Sequence, residues 1–141
     1  MTLESLHQKL QSLNVSTDKY YLHGLYGSTD DNDKIALTIK RGKFVIEYFV
    51  YYRERGKKHS ERIFTNEAEA CKHVLSQIQE ELTIEKAQQV VGLSGMTVNE
   101  RLWTTGLADE FDRVKKKDKL RAAQILRILK VDNPSIKKIL N

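Results

Sequence analysis

The chain has 141 residues, of which 40% are hydrophobic and 30% charged, and its formal net charge is +5 at pH 7. This composition is typical of a globular protein, and no apolar run approaches the roughly 18 residues that a membrane-spanning helix needs. The single cysteine, Cys71, excludes an internal disulfide and a cysteine-based zinc cluster. We therefore expect a soluble, cytoplasmic protein that holds no metal or other cofactor.

The charge is distributed unevenly along the chain. Residues 1–82 contain 12 Lys and Arg and 12 Asp and Glu, whereas residues 83–141 contain 12 and 7 and so carry the entire net charge. All six tyrosines also lie in the first segment. We place a boundary between an N-terminal domain, residues 1–82, and a C-terminal module, residues 83–141.

The first segment predicts the order α-β-β-β-β-α. Leucines at helical spacing predict a helix over 2–14, and the later apolar patterns predict strands at 20–26, 35–39, 44–52 and 59–64. Arg41-Gly42 is read as a two-residue turn with Gly at positive φ, and 44–52 as a central strand covered on both faces. A helix follows, capped by Thr65 or Asn66, and ends near Leu82. These elements predict a small antiparallel sheet flanked by helices.

The second segment predicts helices only. Thr83 is placed at the start of a short helix that ends at Gly92, and Thr97 and Glu100 form a capping-box pattern. Asp118 is positioned to cap a further helix, and Asn133-Pro134 predicts the start of a last one. The fold class is therefore α+β, with an all-helical segment after the sheet.

No enzymatic motif occurs in the sequence. It has no glycine-rich phosphate loop, nucleophile elbow or zinc-binding His-Glu-x-x-His. The four histidines are scattered over different predicted elements, and Cys71 lies on the apolar stripe of a helix, where a buried structural thiol is expected. We therefore expect a protein that is not an enzyme and has no catalytic residues.

The tyrosines and acidic residues of the first segment indicate a binding surface. Tyr51 and Tyr52 point to opposite faces of a strand, so one should lie in the core and the other can be exposed. Exposed Tyr next to Arg is typical of protein–protein contacts, although sheet packing also explains each tyrosine. The aspartates of 30–33 lack the Gly and the distant Glu of a calcium loop, which leaves a solvated turn or an acidic contact.

Residues 87–98 suggest an alternative function, because they resemble a helix-turn-helix: a helix, a Gly-apolar-Ser turn and a second helix. Gln88 departs from the pattern, since a small residue is usual at its position, and the bulky Trp103 lies on the second helix. A basic run around 115–121 could meet phosphates, or could be a solvated face near a helix end. The residues that this hypothesis assigns to nucleic acid are Asn99, Arg101, Lys115, Lys116 and Lys117.

Two stretches resemble known bacterial sequences. Val50–Leu75, with Tyr51-Tyr52-Arg53-Glu54-Arg55-Gly56, Phe64 and Glu67-Ala68-Glu69-Ala70-Cys71, resembles small immunity proteins of contact-dependent growth inhibition and other polymorphic-toxin systems. Met96–Trp103, continuing through Gly106-Leu107, Glu110-Phe111-Asp112, Lys117-Asp118 and Ile125-Leu126, resembles a short helical module found in small bacterial proteins, alone or after such a domain. The upstream Gly24-Leu25-Tyr26-Gly27 and the hairpin are similar in kind, and with them the resemblance covers well over half of the chain.

The resemblance implies an immunity protein that covers the active site, or another essential surface, of the toxic C-terminal domain of a cognate toxin. Nuclease toxins have basic surfaces, so acidic side chains would speed association with one. The partner is then a protein, with a third protein of a toxin complex as a further candidate; no membrane partner is expected, and nucleic acid ranks second. The residues predicted to contact the toxin are Tyr26, Asp30, Asp31, Asp33, Glu47, Tyr51, Arg53, Glu54 and Arg55.

Overall fold

The computed structural model describes residues 1–141 and shows an α+β protein, which confirms the predicted fold class. The chain forms two compact units, Met1–Ile78 and Gln79–Asn141. The sequence-based boundary after Leu82 lies a few residues further along the helix in which these units divide. The helices and strands are α1 Leu3–Ser12, β1 Tyr20–Leu22, β2 Tyr26–Gly27, β3 Lys34–Arg41, β4 Ile46–Glu54, β5 Lys57–Phe64, α2 Glu67–Gln88, α3 Val98–Thr104, α4 Ala108–Val114, α5 Lys119–Ile128 and α6 Asn133–Leu140.

The sheet lies in the first unit and has the strand order β2-β1-β3-β4-β5. Its pairs are antiparallel, as predicted, except that β1 and β3 run parallel with Tyr20 opposite Ile35, so the sheet is mixed. The single strand predicted over 20–26 is divided, because His23 and Gly24 have φ of 54° and 73° and turn the chain from β1 into β2. The loop after β2 then brings β3 back beside β1 in the same direction.

Helices α1 and α2 pack on one face of this sheet. His7 in α1 lies 2.8 Å from the Tyr20 hydroxyl, and the His73 ring in α2 has its centroid 5.3 Å from that of Phe64. The strand register places Tyr20 and Phe64 on the same side, so both helices cover that side. The buried residues of this core include Leu3, Leu6, Leu10, Tyr20, Leu22, Leu37, Val50, Ala70, Cys71, Val74 and Ile78.

The hairpin between β3 and β4 differs from the predicted two-residue turn. β4 begins only at Ile46, and Gly42 donates a backbone hydrogen bond of 2.8 Å to the carbonyl of Val45 across a four-residue loop. Gly42 does not have a positive φ. Glycine is required for a different reason, since a Cβ at this position would lie 2.6 Å from the Val45 oxygen.

α2 is one continuous helix, and the break predicted at Thr83 is wrong. Asn66 caps its start, as predicted, because its side-chain oxygen accepts a hydrogen bond of 3.0 Å from the Glu69 amide. The Thr83 hydroxyl donates to the carbonyl of Gln79, four residues back, at 2.7 Å, and the residue is buried. A threonine that bonds to the preceding turn is compatible with a helix interior, so its capping propensity is not used here.

The second unit is helical throughout, as predicted. Thr97 and Glu100 form the capping box of α3, and the Asp118 side chain caps α5. The cap of α6 is Asp132 rather than Asn133, because the Asp132 carboxylate accepts from the Ser135 amide and hydroxyl. The largest buried residues of this unit include Leu107, Phe111, Ile125, Leu126, Leu129 and Ile136. None of the helices combines the length and apolarity needed to cross a membrane.

Candidate protein interface

Three of the residues predicted to contact a partner form one internal network. The Tyr51 hydroxyl donates to the Asp31 carboxylate at 2.7 Å, and the Arg53 guanidinium lies 3.4 Å from the other oxygen of that carboxylate. Tyr51 is only 3% exposed, so it cannot serve as the surface contact that we predicted. Burial, and secondarily the hydrogen bond to Asp31, raises the pKa of Tyr51 well above its ordinary value of 10.0. We call residues 28–33 the acidic loop. The network therefore tethers the acidic loop to the sheet.

The rest of the acidic loop is also tied to this end of the sheet. The Asp30 carboxylate accepts from the Asn32 amide at 3.0 Å, which lowers the pKa of Asp30, and the Lys34 ammonium lies 3.5 Å away. Asp33 has φ of 55°, and its amide and carbonyl bond to β4. Asp30 and Asp31 are thus both paired with cations of the same chain, which reduces the negative charge that the loop offers to a partner.

Glu54 and Arg55 are exposed at the same end of the sheet, next to the acidic loop. Arg55 and Gly56 both have positive φ, 51° and 77°, which gives a tight turn between β4 and β5. The register places Lys34 opposite Arg53, so this turn and the start of β3 are neighbours. The acidic loop, Arg53, Glu54 and Arg55 are therefore brought together by the fold.

The two remaining predicted contact residues lie elsewhere. Glu47 stands opposite Lys40 near the other end of β3, and the seven steps of about 3.3 Å from Lys34 to Arg41 separate the two ends of this strand by roughly 23 Å. Tyr26 lies on the edge strand β2, where its ring stacks on that of His7 with centroids 5.0 Å apart. The nine predicted contact residues do not form a single surface patch.

The most exposed apolar side chain of the first unit, Phe44, belongs to a segment for which no contact was predicted. We call Ile39–Ile46 the hairpin tip. Phe44 is 88% exposed, and Val45 and Ile46 are 51% and 50% exposed. These residues line an open groove of about 430 Å³ together with Ile39, Arg41, Gly42 and Lys43. Because apolar side chains exposed next to one another are common at interaction sites, the hairpin tip is a candidate interface.

Cations surround this apolar group. The Lys43 ammonium lies 5.4 Å from the Phe44 ring centroid, and the Lys40 ammonium lies 4.7 Å from that of Phe49. Arg41 is exposed and lines the same groove. On the neighbouring strand β5, Ile63 stands opposite Phe49 and is 53% exposed, but strand alternation places it on the other face of the sheet from Ile39 and Ile46.

The hairpin tip was not predicted, because the apolar run 44–52 favours a covered central strand that includes Phe44 and Val45. A run of apolar residues next to Gly is compatible with either a strand or a loop. The signal that could have found the tip is its basic surroundings, Lys40-Arg41-Gly42-Lys43, since a buried strand does not begin among three cations.

Of the residues assigned to nucleic acid, Arg101 has a structural role. Its guanidinium donates to the backbone carbonyls of Ser94, Met96, Leu129 and Lys130, at 3.0 to 3.3 Å. A side chain held by four carbonyls is not available to read a base edge or to meet a phosphate. The assignment of Arg101 to nucleic acid is therefore wrong. Its side chain packs α3 against the end of α5.

Three of the other residues assigned to nucleic acid lie around a groove in the second unit. Asn99, Lys115 and Lys116 line an open groove of about 580 Å³, and Lys115 is 3.6 Å from Asp112. Lys117 is exposed in the turn before α5. The predicted helix-turn-helix differs in its connection, because residues 89–97 separate α2 from α3, which exceeds the three- to four-residue turn of that motif.

Cys71, His23 and His73 take part in internal contacts. Cys71 is buried, and burial raises the pKa of its thiol to about 11, which keeps it protonated at neutral pH. His23 accepts a hydrogen bond from the Ile39 amide at 3.0 Å. His73 packs against Phe64, and burial lowers its pKa below the ordinary value. No group of three or more His, Cys, Asp or Glu side chains is placed to hold a metal ion.

Comparison of the chain with protein-family models, with curated proteins and with solved structures found no significant match.

Proposed function

We propose that this chain is a cytoplasmic immunity protein that binds the toxic C-terminal domain of a cognate bacterial toxin and neutralises it by covering a surface that the toxin needs. The observation that carries the proposal is the exposed apolar hairpin tip, with Phe44 at 88% exposure beside Val45 and Ile46. A partner that covers these side chains removes apolar surface from water, which provides a driving force for association.

The resemblance to immunity proteins supports a toxin domain as the class of partner. Its first stretch, Val50–Leu75, corresponds to the second half of β4, all of β5 and the first part of α2, which form one continuous part of the sheet and its helical cover. Inhibition by occlusion needs a preorganised surface and no reactive group. The tether from Tyr51 to Asp31 and the helices packed behind the sheet supply that rigidity.

The test is coexpression of the chain with the toxin domain encoded directly upstream of its gene. We expect cells that produce both proteins to grow, cells that produce the toxin domain alone to stop growing, and the two purified proteins to elute as one complex in size-exclusion chromatography. Growth arrest that is as rapid with this chain as with an empty vector would contradict the proposal.

A further inference from the structure

The charge of the hairpin tip constrains what can cover it. Residues 39–46 contain Lys40, Arg41 and Lys43 and no acidic residue. The nearest acidic residue along the strand, Glu47, stands opposite Lys40 in the β3–β4 register, and its carboxylate lies close to Gly42, so one carboxylate accompanies these three cations. Arg41 and Lys43 flank the groove in which Phe44 is exposed. The tip therefore presents an exposed apolar side chain, Phe44, with a rim of positively charged side chains.

A partner surface must match both properties. An apolar pocket without charges would leave Arg41 and Lys43 desolvated and unpaired at the edge of the contact, which is costly. A basic surface of the kind that binds nucleic-acid phosphates would repel the rim. Carboxylates around an apolar recess satisfy the cations and accept the Phe44 ring at the same time.

The acidic loop is a weaker candidate for the contact. Asp30 and Asp31 already face Lys34 and Arg53 of the same chain, so a basic partner would have to compete with those contacts. No large apolar side chain among residues 28–33 accompanies these charges. The hairpin tip combines exposed apolar area with charges that are not all balanced locally.

We infer that the hairpin tip is the toxin-binding element and that it inserts into an apolar recess rimmed by carboxylates on the toxin domain. This inference rests on the proposed function, since it names the surface and the partner chemistry of the same interaction.

The experiment measures binding of the purified upstream toxin domain to four variants of the full chain at two salt concentrations. Phe44→Ser removes the exposed aromatic side chain, and Arg41→Glu with Lys43→Glu reverses the charge of the rim. The matched controls are Leu120→Ser, which removes an exposed apolar side chain from the second unit, and Lys137→Glu with Lys138→Glu, which makes the same change in net charge there. All altered side chains are exposed, so each variant is expected to fold, which circular dichroism verifies.

We expect Phe44→Ser to weaken binding by about tenfold or more, because a central aromatic anchor dominates an interface. The Arg41→Glu, Lys43→Glu variant should lose about tenfold or more in association rate and lose most of the salt dependence of the wild-type rate. The controls should stay within about twofold of wild type.

The possible failures are distinguishable. Wild-type binding that both tip variants retain would overturn the hairpin tip as the binding element and leave the proposed function standing. If Phe44→Ser weakens binding but the Arg41→Glu, Lys43→Glu variant binds as wild type does, the inference that the partner surface is acidic is wrong. Absence of binding and protection by the wild-type chain would overturn the proposed function, and this inference with it.

Discussion

Arg121 shows how a single residue can organise the second unit. Its guanidinium donates to both carboxylate oxygens of Glu110, at 2.9 to 3.1 Å, and to the Thr83 hydroxyl at 2.7 Å. The arginine and the threonine are buried, and these bonds join α2, α4 and α5. This network explains why Thr83 lies inside a helix, since its hydroxyl is needed both by the helix backbone and by Arg121.

We predict that Arg121→Met destabilises the protein by about 3 kcal/mol, because removing one partner leaves Glu110 as a largely buried carboxylate without its cation. Urea unfolding followed by circular dichroism measures the change in the free energy of unfolding. Arg113→Met, at an exposed position of α4, is the matched control and should change it by less than about 0.5 kcal/mol. Equal effects of the two substitutions would contradict the structural role of Arg121.

At the scale of elements, the β3–β4 hairpin depends on one close backbone approach. Gly42 passes so near the Val45 carbonyl that a methyl group cannot fit without movement of the loop. The same loop holds Phe44 in solvent, so the geometry of the turn decides how the hairpin tip is presented.

We predict that Gly42→Ala destabilises the hairpin by about 1–3 kcal/mol, since the added Cβ would lie 2.6 Å from a backbone oxygen. Urea unfolding gives the loss in stability, and amide chemical shifts of residues 39–47 should move. Gly95→Ala is the control, because a Cβ there would meet nothing within 4 Å and Gly95 does not have positive φ. A Gly42→Ala variant as stable as Gly95→Ala, with unchanged shifts at the tip, would be inconsistent with this geometry.

At the scale of the whole molecule, the net positive charge is compatible with nucleic-acid binding, which is the alternative function. The net charge of +5 arises from residues 83–141, and Lys115, Lys116 and Lys117 are its densest cluster. A binding surface for phosphates concentrates such residues, but Arg101, which the alternative function needs, is held by backbone carbonyls.

We predict that the purified chain gives no shift of a DNA duplex in a mobility assay at about 50 mM salt, where nonspecific electrostatic binding is strong. The triple variant Lys115→Glu, Lys116→Glu, Lys117→Glu serves as the comparison. A salt-sensitive shift by the wild-type chain that this variant abolishes would favour the nucleic-acid hypothesis over the toxin-binding one.

The sequence by itself determined the local features. Leucine spacing predicted α1, and the Thr97–Glu100 and Asp118 caps begin their helices as predicted, because each depends on interactions within a few residues. The α+β class followed from the order of these periodic segments. The direction of β1 relative to β3 could not be predicted, since strand pairing depends on contacts between distant residues.

The tertiary structure alone decided which side chains are available for binding. Tyr51 and Asp31 are 20 residues apart in sequence and meet only because the loop folds onto the sheet, which takes both out of the predicted contact surface. Phe44 has the composition of a core residue, and only the close turn at Gly42 leaves it in solvent. Exposure is a property of the packed molecule, so the hairpin tip could be identified only when all its neighbours were in place.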